Sequence, residues 1–139
     1  MSYGAQWVVS AAVLLACGCE HSLKYETPPP GSYEARAYQV ASGEATTSVD
    51  GAEISPAFFD AARIRPIIGR FFVEEDHASS AARTVVLSHD FWKERFASDP
   101  GIIGRTIEID GRPRTVVGIA PPGFRFPGKS QLWIPRPPS

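Results

Sequence analysis

Thirteen prolines scattered through 139 residues set the first limit on what this chain can fold into. Proline lacks a backbone N–H and its ring clashes with the preceding helical turn, so long helices are excluded and many turns are required. Twelve glycines add to that tendency. The length suits one domain. The apolar fraction of 43% lies slightly below the globular norm. A net charge of −1, with Arg63, Arg65, Arg70, Arg83 and Arg95 spread among acidic residues, leaves no basic face for nucleic acid.

Short elements can be read between the breakers. Tyr33 to Ser42 (YEARAYQVAS) alternates weakly and reads as a strand, and Ser48 to Ile54 as a weaker one. Ser55-Pro56 predicts a helix start, with Ser55 as the cap, Pro56 in the first position and Phe58 and Phe59 as apolar anchors. That helix must stop near Arg65, ahead of Pro66. Gly69 to Asp76 reads as a turn into an acidic loop. Thr84 to Leu87 (TVVL) is a short buried strand, after which Ser88 caps a helix with Phe91, Trp92 and Phe96 on one stripe and Lys93 and Glu94 in water. Asp99-Pro100-Gly101 closes that unit.

The sharpest local signal follows. Thr106 to Ile109 alternates, Asp110-Gly111 supplies a two-residue type I′ turn, and Thr115 to Ile119 returns as the second arm of a hairpin. Pro113 suggests an edge position for that arm. Leu132 to Ile134 is a candidate last strand. The fold class is therefore α+β: a small mixed or antiparallel sheet with two short helices and a C-terminal β-hairpin.

Residues 1–32 differ in kind from residues 33–139. Trp7 to Ala16 carries no charge and is too short for a bilayer, which needs roughly 20 residues, but it suits the apolar stretch of a secretory signal. Leu14-Leu15-Ala16-Cys17 resembles a bacterial lipobox and makes Cys17 a candidate lipid attachment site; no Lys or Arg precedes it. The alternatives are a truncated transmembrane end or an apolar N-terminus from a misplaced start. Cys17 and Cys19 lie too close for an easy mutual disulfide and are too few for a zinc site. Glu26 to Ser32 (ETPPPGS) reads as an extended linker.

One motif invites a catalytic reading. Gly123 to Ser130 (GFRFPGKS) fits G-x-x-x-x-G-K-[ST], in which backbone N–H groups, Lys129 and Ser130 would hold phosphates and magnesium. Pro127 removes one of the required N–H groups, and the proline-rich QLWIPRPPS after Ser130 cannot open the helix such a loop needs. The match is therefore read as a turn, with no nucleotide bound by this chain. Glu74-Glu75-Asp76-His77 reads as a solvated loop and not a metal site. Ser88 and His89 are sequence neighbours whose side chains point apart, and Glu108 and Asp110 sit beside a turn. No catalytic, cofactor or metal residue is assigned.

The phrases ISPAFFDAARIRPIIGRFFVEED, TVVLSHDFWKERFASDPGIIGRTIEIDGRPRTVVGIAPPGFRFPG and QLWIP, in that order and spacing, resemble the MacB-like periplasmic core domain of bacterial ABC transporter permeases of the FtsX-like family. The resemblance covers roughly Glu34 to Pro135. It implies an α+β domain outside the inner membrane that transmits ATP-driven motion and has no catalytic residues. It also implies a permease transmembrane subunit, its ATPase and a periplasmic protein as partners, at the periplasmic side of the inner membrane. The family's first transmembrane helix and the early part of its core domain have no counterpart in Met1 to Ser32, and no later transmembrane helix follows. The expectation is a permease fragment or an exported module, not a transporter by itself. Half a domain would also leave an unpaired sheet edge, which predicts marginal stability or association.

Overall fold

The computed structural model describes residues 25–42, 45–78 and 83–136. Among the described residues seven strands and three short α-helices follow one another as β1 (Tyr33–Ser42), β2 (Ala45–Ile54), α1 (Phe58–Ala62), β3 (Ile68–Gly69), α2 (Glu74–Ala78), β4 (Thr84–Leu87), α3 (His89–Phe96), β5 (Thr106–Ile109), β6 (Arg112–Ile119) and β7 (Leu132–Pro135). A 3₁₀ turn at Pro100–Ile102 follows α3. The α+β reading stands, with one helix more than the sequence suggested.

The strands run in the order β3-β6-β4-β7-β2-β1-β5, and β5 pairs back onto β6. Six of them therefore close into a ring. The β5–β6 hairpin makes the closure, pairing Thr106 to Ile109 with Thr115 to Arg112 on one side and Ile109 and Glu108 with Val40 and Ala41 of β1 on the other. Its turn is the one the sequence announced: Asp110 and Gly111 have φ of 55° and 79°. Asp110 also fastens the seam, since its N–H donates to the Gln39 carbonyl at 2.7 Å and its carboxylate accepts from the Gln39 N–H at 2.8 Å.

Alternation along the strands sorts the core into two clusters. Tyr38, Val40, Val49, Val85, Leu87, Ile107, Ile109, Val116, Ile119, Leu132 and Ile134 come from all six ring strands and fill the interior, joined by Phe91, Trp92 and Ile102. The intervening residues Ala52, Ile54, Val86, Val117 and Trp133 face outward and are covered by Phe58, Phe59 and Ala62 of α1 and by Phe124. A bulge opposite Val85 and Val86 inserts one residue into β6, so Val116 and Ile119 both join the interior cluster while Val117 joins the outer one.

Several local expectations change. Ser55 does not cap α1: the Phe58 N–H donates to the Ser55 carbonyl at 3.1 Å, and the helix has no side-chain cap at Ala57. It ends before Arg65 because Arg63 takes the left-handed conformation. Pro113 lies in a ring strand that has neighbours on both sides, but at its own position only β5 is alongside, since β4 joins at Thr115. Leu132–Pro135, read as a candidate last strand, is central, lying parallel to β2 and antiparallel to β4 with all four residues buried. Just ahead of the stretch read as a linker, Tyr25 meets Phe124 edge-on at 4.7 Å, and at its start the Glu26 N–H donates to the Ala62 carbonyl at 2.9 Å.

Ring closure covers the outer edge of β1 only in part. β1 meets β5 only at Val40 and Ala41, so among the described residues 33–38 keep one edge without a strand partner, with the charges of Glu34 and Arg36 on it. Charge on an edge opposes pairing with another chain.

Ser88 caps α3 as expected, accepting the Phe91 N–H at 3.0 Å while fully buried. Ser88→Ala should therefore cost about 1 kcal/mol, measured as a lower urea midpoint with an unchanged slope.

Candidate functional site

The acidic run is the first place where the structure departs from the sequence reading. Glu74 to Ala78 is a helix, not a solvated loop, and Asp76 and His77 are buried while Glu74 and Glu75 remain exposed. The cause is a reciprocal cap: the Asp76 carboxylate accepts the Val73 N–H at 2.8 Å, and the Asp76 N–H donates to the Val73 carbonyl at 3.0 Å. Arg70 Nη1 neutralises the same carboxylate at 2.9 Å. Among the described residues no group of three or more His, Cys, Asp or Glu is placed to hold a metal ion.

His77, on the buried side of this helix, is edge-on to Phe72 at 5.8 Å, with Nδ1 3.4 Å from the Arg136 carbonyl. Burial holds its pKa below the ordinary histidine value, against the opposing pull of that carbonyl and of Asp76. A histidine that resists protonation in the fold contributes stability that is complete above about pH 6.5 and is lost as pH falls below that value toward its depressed pKa. The urea midpoint should drop between pH 7.5 and pH 5.5, and His77→Gln should flatten that drop.

The phosphate-loop look-alike is committed to structure. Ser130 is buried, its hydroxyl donates to the Pro127 carbonyl at 2.6 Å and its N–H to the Arg125 carbonyl at 2.8 Å. The chain then enters β7, where a phosphate cradle requires a helix N-terminus. Trp133 Nε1 donates to the Phe126 carbonyl at 2.9 Å, pinning the turn to the sheet. Lys129 stays exposed.

The other sequence candidates are not brought together into a site among the described residues. His89 is half-buried and edge-on to Trp92 at 5.6 Å. Glu108 is exposed, and Asp110 serves the ring seam. Cys17 and Cys19 lie outside the described residues. Among the described residues no helix is long and apolar enough to cross a membrane.

One constellation was not read from the sequence. Arg36 and Tyr38 of β1 share the interior face with Glu53 of β2, and Arg112 and Arg114 alternate along β6 to the same place, so together they line a cavity of about 400 Å³. Ile109 and Ile134 are its apolar walls. Arg36 Nη1 meets Glu53 Oε2 at 3.3 Å, and its guanidinium carbon lies 5.7 Å from the centre of the Tyr38 ring. Arg114 Nη1 donates to the Thr84 carbonyl at 3.1 Å. Tyr38 is only 3% exposed, and its hydroxyl has no hydrogen-bond partner among the described residues. Burial, and then the charge of Glu53, pushes its pKa to about 12. It therefore remains a neutral donor at any physiological pH. The signal was present as two alternating pairs, Arg36-x-Tyr38 and Arg112-x-Arg114, but their convergence depends on ring closure.

Comparison with known proteins places this architecture. A family model described as the MacB-like periplasmic core domain matches residues 24–137. The extracellular domain of the noncanonic ABC-type transporter YknZ from Gram-positive bacteria superposes with a TM-score of 0.61 at 19% identity, over 75% of this chain and 52% of that one. The periplasmic region of MacB from Actinobacillus actinomycetemcomitans gives a TM-score of 0.61 at 24% identity, over 75% of this chain and 46% of that one. The chain thus spans about half the length of these solved structures. None of the curated proteins compared with it matches. With the family model covering most of its length, the chain belongs to the family of MacB-like periplasmic core domains.

Proposed function

We propose that this chain is a non-catalytic extracytoplasmic module of an ABC transporter permease, acting by protein contacts and by transmitting motion. The observation that carries this reading is the family match over residues 24–137. The similar solved domains of YknZ and MacB are, by description, an extracellular domain and a periplasmic region. A ring of strands closed on itself and packed on both faces suits a body that is moved as one piece. The partners are a permease transmembrane subunit, its ATPase and a periplasmic protein. Nucleotide is bound and hydrolysed elsewhere in that assembly, and the GFRFPGKS turn serves the fold. The apolar stretch Trp7 to Ala16 directs export, and Cys17 is the site of lipid attachment.

A second reading is a stand-alone exported lipoprotein with a ligand-binding or scaffolding role. The arginine-lined cavity is the observation that favours it.

Protease treatment of spheroplasts followed by membrane fractionation tests the location. The expected result is a membrane-associated chain cut from outside, and its release into the soluble periplasm by Cys17→Ala. A chain protected from external protease would contradict an extracytoplasmic role.

A further inference from the structure

The cavity at the mouth of the ring combines fixed positive charge with an unused donor. Arg36, Arg112 and Arg114 face Glu53 and Asp110 there, leaving one net positive charge. Glu53 pairs with Arg36, and the Asp110 carboxylate accepts the Gln39 N–H. Arg112 has no ion pair among the described residues, and Arg114 spends one of its N–H groups on the Thr84 carbonyl. A guanidinium offers five donors in a planar fork that matches a carboxylate edge.

Tyr38 supplies the independent observation. Its hydroxyl is buried without a partner, although buried hydroxyls in folded proteins are nearly always hydrogen-bonded. It sits among the charges of this same mouth, where Glu53, Arg36, Arg114 and Asp110 all act on it. A protein that leaves such a donor unpaired loses the desolvation energy of the group unless an acceptor arrives. No group of the described residues supplies that acceptor.

We infer that the mouth of the ring binds a carboxylate, held by the free donors of Arg112 and Arg114 and by the Tyr38 hydroxyl. The single net positive charge matches a monoanion better than a phosphate dianion. The cavity, about 400 Å³, has room for more than the carboxylate itself, and Ile109 and Ile134 would cover an apolar portion of the ligand. Two sources share this chemistry: a small free organic acid and the C-terminus of a peptide. The inference concerns the cavity alone and holds whether or not the chain works within a permease.

Titration of the full chain by two-dimensional NMR separates the outcomes, with four probes: acetate, the dipeptide Gly-Phe, its C-terminal amide and inorganic phosphate. Saturable shifts are expected around Tyr38 and Arg114, with the free acid binding at least about tenfold more tightly than its amide. Acetate as tight as the dipeptide identifies a small free acid, and dipeptide much tighter than acetate identifies a peptide terminus. Tyr38→Phe should weaken the acid about tenfold or more while leaving the Tm unchanged or higher, because the hydroxyl has no internal bond to lose. Arg114→Gln should weaken it as well. Equal binding of acid and amide, tighter binding of phosphate, no saturable shift, or a lower Tm in Tyr38→Phe would each overturn the inference.

Discussion

Trp133→Ala should destabilise the domain by about 3–5 kcal/mol, enough to unfold much of the population if the total lies in the usual range of about 5–15 kcal/mol. Trp133 is fully buried in the central strand β7. Its ring stacks on Phe124 at 5.3 Å and meets Phe59 edge-on at 5.9 Å, tying the 121–130 turn and α1 to the outer face of the sheet. Its Nε1 proton is the partner of the Phe126 carbonyl, so truncation opens a cavity and leaves a polar group unpaired together. Trp133→Phe keeps most of the ring contact and should cost about 1–2 kcal/mol, mostly through that carbonyl. Urea unfolding followed by far-UV circular dichroism reads both. Equal costs for the two variants would show that the hydrogen bond, and not the packing, dominates.

The second large effect comes from the smallest side chain. Gly118→Ala should cost about 3 kcal/mol or more, because the added methyl would run into the Arg70 carbonyl, with the Arg70 carbonyl carbon 2.9 Å and its nitrogen 3.2 Å away. The obstacle is backbone, which cannot rotate aside. The two-residue strand β3 packs against β6 here, with Gly69 opposite Gly118 and the Arg70 N–H donating to the Val117 carbonyl at 2.8 Å. Gly111→Ala gives the contrast: that position opens to empty space and its φ of 79° is the only obstacle, so the cost should be about 1–2 kcal/mol. The difference in urea midpoint between these variants separates close approach from backbone torsion. A Gly118→Ala protein no less stable than Gly111→Ala would mean that β3 does not lie against β6 as described.

These two sites also mark where sequence reasoning succeeded and where it stopped. Asp110-Gly111 was legible because a type I′ turn is a local demand, met by two adjacent residues with positive φ. Ser88 was legible for the same reason, as a cap acts within one turn of its helix. Gly118 was not, since nothing beside it in the sequence reveals that Arg70 crosses above it. Leu132 to Pro135 reads as a short apolar run without periodicity because both its faces are buried. The helix at Glu74 was hidden because its cap uses Asp76 reaching back to Val73, with no Ser or Thr at the start. Ring closure was out of reach as well, and with it the mouth: Arg36 and Glu53 are 17 residues apart, and Arg112 and Arg114 arrive only through the hairpin. Strand pairings between distant segments create that site, and they are not encoded in any one stretch.

The expected association of the isolated chain turns on the outer edge of β1. An open sheet edge is the ground for expecting it, and the β5–β6 hairpin covers the outer edge of β1 only at Val40 and Ala41, so that among the described residues 33–38 have no strand partner on that side. What remains on β1 carries Glu34 and Arg36.

A role as a transporter module is tested by affinity purification of the full tagged chain from its host's envelope in mild detergent, quantified by mass spectrometry against an untagged control. The expected result is joint enrichment of a permease transmembrane subunit and its ATPase. Recovery of the folded chain without either would contradict a role as a transporter module and leave the exported lipoprotein as the better reading.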